Sequence, residues 1–280
     1  MKFLALGRAV MFSPNMADKD ALILQSVIDL LRAEGHEVNA LQEEQWVSLP
    51  LEASSHYDLV FGMYRHEQTL SRLEQLEQQY AVRCFPSPEA IRNADRIRLV
   101  QIMIEATIPM PRTRILKDTT NSPLGIEAGH WLKRGHGCAE VPEDVVFVKN
   151  ADEERIALSS FAARGISDIV ASEHLDGDLI KFYGVEGTGF FDWAYAPLTQ
   201  GKFRLEAHNS PHRGYAFETD RLCADAGRLA SLTGIAVYGG DCIVGADGVA
   251  RIIDFNDWPS FSRCREQASL AIAKRIKQQL

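Results

Sequence analysis

The chain has 280 residues, a mass of 31.2 kDa and a formal charge of −8, from 30 Lys+Arg against 38 Asp+Glu. With 46% hydrophobic and 24% charged residues it has a globular make-up, which excludes a disordered or collagen-like chain and suits one large domain or two modest ones. The acidic balance argues against a general nucleic-acid binder or a protein held on an anionic membrane, and leaves room only for a local basic pocket.

Read in chain order, strands and helices alternate. Residues 3–10 predict a buried strand. A helix over 20–34 follows, capped by Asp18 or Asp20, with Leu22, Val27, Ile28 and Leu31 on one face and Gly35 as its stop. A short strand at 36–41, an apolar run Tyr57–Gly62, a polar amphipathic helix at 67–79 and an extended Ala81–Phe85 complete a small parallel α/β sheet. Pro86-Ser87-Pro88 punctuates the chain, and a helix over 89–107 ends at Ile108-Pro109-Met110-Pro111. A domain boundary is expected near 92, giving domains 1–92 and 93–280. Beyond it the pattern predicts a strand at 112–116, a polar loop at 117–129 and strands at 130–134 and 144–148. A helix at 151–164 and a strand at 166–173 follow. Strands at 179–185 and 189–196 are joined by Gly187-Thr188-Gly189. A helix at 218–233, strands at 237–244 and 249–255, and a last helix over 265–278 close the chain.

The cysteines Cys84, Cys138, Cys223, Cys242 and Cys264 are odd in number, widely spaced and without a C-x-x-C pair. A disulfide framework or structural zinc site is not expected, and reduced thiols fit a cytoplasmic protein. The N-terminal MKFLALGRAVMF is too short for a signal segment and reads as a strand. No apolar run approaches the ~18 residues of a membrane span.

The strongest constellation is the C-terminal hairpin. Asp247-Gly248 is a two-residue turn signal. A turn centred there pairs Asp241 with Asp254, and Asn256, two residues on, shares their face. Opposed carboxylates repel, so a positive group belongs between them. Oxygen donors without His or Cys suit Mg²⁺ or Mn²⁺ with phosphates completing the shell. The alternative, a solvated acidic hairpin, sits poorly with the flanking Ile243, Ile252, Ile253 and Phe255.

From about Asn93 to Phe261 the chain resembles the ATP-grasp superfamily. IIDFNDWPSF (252–261) is similar to its final acid-x-Asn motif and GGDCIV (239–244) to the metal-binding strand before it. The wording is nearest an uncharacterised bacterial branch, and the first 90 or so residues resemble the small domain that precedes the ATP-grasp region. The fold implied is α/β (α+β): an ATP-grasp fold, subdomains about 93–175 and 176–280, behind a small parallel-sheet domain. By position, the resemblance implies that Arg96 and Lys133 contact the ATP phosphates. Glu173 and the Leu175 backbone would bind adenine. Asp178 would reach the ribose, and Lys181 would be a second basic contact. Asp241, Asp254 and Asn256 would hold two Mg²⁺ ions. An acidic protein needs local cations for a triphosphate, so Lys133 and Arg96 are expected to face the metal set.

Two departures stand out. The loop Arg134-Gly135-His136-Gly137-Cys138 is short and basic where the family has a glycine-rich phosphate cover. Gly239 stands where many of its ligases carry an Arg, so the oxyanion-stabilising cation must come from elsewhere, with Arg204 and Arg213 as candidates. The implied activity is a Mg-dependent ligase: ATP converts a small carboxylate to an acyl phosphate, and an amine, or a thiol, displaces phosphate. The alternatives are a small-molecule kinase on the same fold and a non-catalytic ATP-binding regulator. No nucleic-acid or membrane partner is expected. Homodimers are common among proteins of this resemblance.

Other signals read more plainly. His208 and His212, with Pro211 between them, suit a polar loop rather than a zinc-hydrolase helix. Gly184, Gly187 and Gly189 form a hairpin turn, not a dinucleotide fingerprint, and neither a P-loop nor G-x-S-x-G occurs. Cys138, among basic residues, is either a reactive thiol or a small filler. Ser13, Asn15, Asp18 and Arg65 follow strands at the edge where open α/β sheets collect ligands; loop capping or solvation explains them equally well. Trp258 and Phe261 read as packing of the last turn.

Overall fold

The structure, a computed structural model, describes residues 1–12, 17–117, 129–137, 139, 141–196 and 211–280. Ser13, Asn15, Cys138, Arg204, His208 and most of the 117–129 loop lie outside these residues.

The first sheet is parallel, in the order β2-β1-β3-β4, from β1 (Lys2–Gly7), β2 (Glu37–Gln42), β3 (Leu59–Gly62) and β4 (Arg83–Phe85). The run FLAL is apolar at successive positions because β1 is buried on both faces. Phe3, Ala5 and Phe61 pack with α1 (Ala17–Ala33), while Leu4, Leu6 and Val60 pack with α3 (Glu67–Tyr80) and with Trp46 of α2 (Glu43–Val47). Helix α1 begins at Ala17, so Asp18 and Asp20 lie in its first turn rather than at its cap, where acids suit the helix dipole. Its buried face is Ile23, Leu24, Val27, Ile28 and Leu31, and Leu22, expected inside, is exposed.

The helix expected over 89–107 is two: α4 (Pro88–Asn93) and α5 (Arg96–Glu105). Asp95 interrupts it, because its side chain leaves helical geometry to accept from the Ile97 amide at 3.2 Å and so caps α5.

The second sheet is antiparallel, order β5-β8-β6-β7, from β5 (Thr113–Leu116), β6 (His130–Arg134), β7 (Val145–Val148) and β8 (Ile169–Glu173). Helix α6 (Ala151–Ala163) covers one face, on which Leu132, Val146, Ile169 and Ala171 meet Leu158 and Phe161. The third sheet is antiparallel, order β10-β9-β11-β12, from β9 (Asp178–Val185), β10 (Phe190–Tyr195), β11 (Val237–Val244) and β12 (Ala250–Asp257). Helix α7 (Thr219–Thr233) and α5 back it through Leu222, Leu229, Leu99 and Met103 against Ile180 and Phe255. The final helix, α8 (Arg265–Lys277), lies along α1, where Ile272 and Ile276 join the core of the first sheet.

The β11–β12 hairpin differs from expectation at two places that cancel. The connection is wider than a two-residue turn: Val244 pairs with Ala250, and the Gly248 amide donates to the Gly245 carbonyl at 3.0 Å. Ile253 then bulges out of β12, so that Cys242 pairs with Ile252 but Asp241 still pairs with Asp254.

One buried pair carries a pH prediction. His130 of β6 and Glu154 of α6 are each 4% exposed, with Nε2 3.6 Å from Oε1. Burial lowers the His130 pKa more than Glu154 raises it. The folded state therefore favours neutral imidazole. Its contribution is present above the ordinary histidine value of about 6.5 and is lost as pH falls through the lower folded value. Melting temperature should drop as pH is lowered below about 6.5, and His130→Gln should flatten that limb. An identical profile in the variant would remove His130 as the cause.

Candidate active site

One face of the third sheet gathers the polar residues. Lys181 pairs across the strands with Asp241, and Asp241 with Asp254, so three side chains stand in one row; the next row carries Tyr183, Gly239 and Asn256. The Lys181 ammonium donates to the Asp241 carboxylate at 3.0 and 3.3 Å, which supplies the positive group that opposed acids require. The Asn256 amide donates to Asp254 at 3.0 Å.

The second sheet meets this face through Lys133. Its Nζ donates to the Ile253 carbonyl at 3.0 Å, the carbonyl of the bulged residue beside Asp254. Burial lowers the Lys133 pKa, Asp254 opposes that, and Arg96 adds to it. Burial would raise Asp254, but Lys133, Arg96 and the Asn256 hydrogen bond outweigh it, and the carboxylate is held below its usual range. Arg96, at the start of α5, donates to the Arg134 carbonyl. Lys133, Lys181, Arg96, Asp241, Asp254 and Asn256 are thus one electrostatic unit.

The other expected residues lie toward the far end of the strands. Lys133 pairs with Val170, three positions before Glu173, and Asp178 lies three before Lys181, which separates the two groups by roughly 10 Å. The Glu173 carboxylate accepts from the Arg112 amide at 2.8 Å, and Leu175 packs against Leu179 and Ile243. Asp178, expected to reach the ribose, is turned inward. This carboxylate is wholly buried and accepts from the amides of Arg213 at 2.6 Å and Tyr215 at 2.8 Å, so it anchors the chain at 213–215. The Arg213 guanidinium is likewise turned to Asp176, at 2.8 and 3.0 Å, at that same far end, away from the oxyanion position considered for it. Arg204 lies outside the described residues.

Three aromatic residues here were not singled out from sequence. Trp131 shares the face of Lys133, two positions before it. Its ring lies 5.0 Å from that of Phe147, and its indole N–H donates to His174 Nδ1 at 3.1 Å. Period-2 alternation in HWLK was the available signal.

The space over Gly239 is filled. A Cβ there would lie 2.8 Å from Pro259 and 3.0 Å from Tyr183, so this strand could not carry a longer side chain without displacing both.

Two carboxylates and an amide oxygen on paired strands fit a hard divalent cation and leave room for phosphate and water ligands. Among the described residues no three His, Cys, Asp or Glu side chains gather as a metal site; the set described here has two carboxylates and Asn256. Nor is any helix there long and apolar enough to cross a membrane.

No protein-family model matches the chain. No curated protein matches it in sequence. Solved structures do match over its full length. A D-alanyl-alanine synthetase A from Vibrio cholerae superposes with a TM-score of 0.75 at 12% identity, covering 99% of this chain and 98% of that one. A RimK domain ATP-grasp protein from Sphaerobacter thermophilus gives 0.68 at 16% identity, covering 99% and 100%. The ATP-grasp ligase PsnB, solved with minimal precursor, Mg and ADP, gives 0.63 at 18% identity, covering 98% and 97%. The chain has the ATP-grasp fold from end to end.

Proposed function

We propose that this chain is a magnesium-dependent, ATP-consuming ligase that activates a carboxylate as an acyl phosphate and transfers it to an amine or a thiol. The observation that carries the reading is Lys133. A half-buried ammonium from the second sheet reaches the third within one residue of Asp254, where two carboxylates and Lys181 already stand. Buried cations beside paired acids make a poor structural core but suit a polyphosphate with its counter-ion.

On this reading the units 93–175 and 176–280 clamp the nucleotide. The adenine lies toward Glu173, Leu175 and the Trp131–Phe147 rings. The phosphates lie between Lys133, Lys181 and Arg96, and Asp241, Asp254 and Asn256 hold the cation. When bound, Mg²⁺ would neutralise charge on the transferring phosphoryl group. Lys181 would pass from Asp241 to a phosphate oxygen. The substrate carboxylate attacks the γ-phosphorus and ADP leaves; the amine then attacks the acyl carbon and phosphate leaves. The similarity to a D-alanyl-alanine synthetase A and to the ATP-grasp ligase PsnB, solved with Mg and ADP, supports this class.

A kinase is the second reading, favoured by the filled space over Gly239, which admits no cation from that strand to an acyl oxyanion. Incubation with MgATP and a metabolite pool separates the two by mass. Condensation with loss of water identifies a ligase, and gain of phosphate a kinase. Lys133→Ala should weaken ATP binding at least ~10-fold, about 1.4 kcal/mol. Unchanged affinity would remove Lys133 from the phosphate site.

A further inference from the structure

The turn that leaves β12 is strained. Trp258 and Phe261 both hold left-handed backbone, at φ 36° and 47°, a region that bulky side chains seldom enter. Both side chains are wholly buried in the core of the first sheet, with the Trp258 ring 6.2 Å from that of Phe85. Such strain persists only where surrounding contacts over-determine it, and it clusters at functional sites. Here it begins two residues after Asn256, the amide of the proposed cation site.

One guanidinium clasps this turn. Arg8, directly after β1, has a side chain only 9% exposed. Its Nη2 donates to the Asp257 carbonyl at 3.3 Å, to the Trp258 carbonyl at 3.2 Å and to the Asp257 carboxylate at 3.3 Å. Its Nε donates to the carbonyl of Met63, just after β3, at 3.2 Å, and its Nη1 to Asp20, in the first turn of α1, at 3.3 Å. The fork thus ties the end of β12 to β1, β3 and α1, and Arg65 pairs with the same Asp257 carboxylate. A buried ion-pair network is a weak source of stability, but it can fix one geometry among several. Asn256 Nδ2 donates to Asp254, so Oδ1 is the atom able to meet a cation, and its aim depends on where the backbone from 256 to 258 is held.

We propose that Arg8 is a positioning residue for the cation site: by fixing the two carbonyls that follow Asn256 it sets the aim of the Asn256 amide oxygen, so that the first sheet shares in determining magnesium affinity. This rests on the reading of Asp241, Asp254 and Asn256 as the cation site. The planar fork is needed because the acceptors lie on opposite sides of it; an ammonium at the same place would reach only some of them.

The test is AMPPNP titration of the full chain across magnesium concentrations, beside the same titration in EDTA and urea unfolding of the free protein. Arg8→Lys, which keeps the buried charge, should raise the magnesium concentration for half-maximal nucleotide binding by about tenfold or more, the usual cost of losing an outer partner of a metal ligand, and leave affinity in EDTA unchanged. Asp257→Asn loosens the same clasp from its other end; it should shift the midpoint in the same direction, and it decides the matter where Arg8→Lys does not fold. Asp20→Asn removes a partner of Arg8 on the side away from β12, so it should lower stability and leave the midpoint in place. In Asn256→Ala the ligand itself is gone, and adding Arg8→Lys should move the midpoint no further. An unmoved midpoint in the folded clasp variant, an equal shift in Asp20→Asn, or additive shifts in the double variant overturns the proposal and leaves the nucleotide reading standing. Wild-type protein whose AMPPNP binding ignores magnesium overturns the cation site, and the proposal with it.

Discussion

Asp254→Ala is expected to cut ADP formation by about 10³-fold or more, near 4 kcal/mol of transition-state stabilisation, and to abolish the magnesium dependence of nucleotide binding. Asp254 is one of two carboxylates in the proposed cation site, and it is also the principal negative charge acting on Lys133. Its removal takes a ligand from the cation and leaves a half-buried ammonium with less compensation. The backbone ladder with β11 survives, so the fold should persist. AMPPNP titrations in magnesium and in EDTA, beside a circular-dichroism melt, separate the two effects. Wild-type turnover and an intact magnesium dependence in the variant would overturn the metal assignment.

Asp257→Ala is expected to destabilise the protein by about 3–5 kcal/mol, the cost typical of breaking a buried ion pair from one side. Asp257 is 2% exposed and faces away from the cleft, toward the first sheet. It pairs with Arg65, and with Arg8 at 3.3 Å. Without it two largely buried guanidinium groups lose a shared carboxylate. Arg8 keeps Asp20 at 3.3 Å and the Met63 carbonyl at 3.2 Å. Asp257→Asn should cost less, since an amide still accepts a hydrogen bond. Urea unfolding at pH 7 measures both, and a loss below about 1 kcal/mol in the alanine variant would mean that the cluster relaxes around the gap.

Elements governed by local pattern were legible in the sequence. The strand β6 over HWLKR, with Lys133 on it, and the pairing of Asp241 with Asp254 follow from periodicity and turn chemistry. The second was reached through a turn that is wider than supposed, rescued by the bulge at Ile253. No sequence signal marks that bulge, yet its carbonyl is what Lys133 holds. The break at Asp95 was visible as a capping residue but was outweighed by the apolar period on either side of it. The Asp178 carboxylate shows the limit of reasoning by motif. Its position in the chain suggests an outward role, and only tertiary packing reveals that two amides from beyond Pro211 draw it inside. The Arg8–Asp257 pair, 249 residues apart, has no local signature at all.

The contact of α8 with α1 bears on how the protein is made. Phe3, in β1, shares its core with Ile272 and Ile276, about 270 residues later in the chain. At ~5–20 residues per second, roughly 15–50 s of translation separate them. During that interval α1 and α3 cover most of the nascent sheet, and the part of the first core that α8 completes stays exposed. A circular permutant that began with α8 would remove the delay.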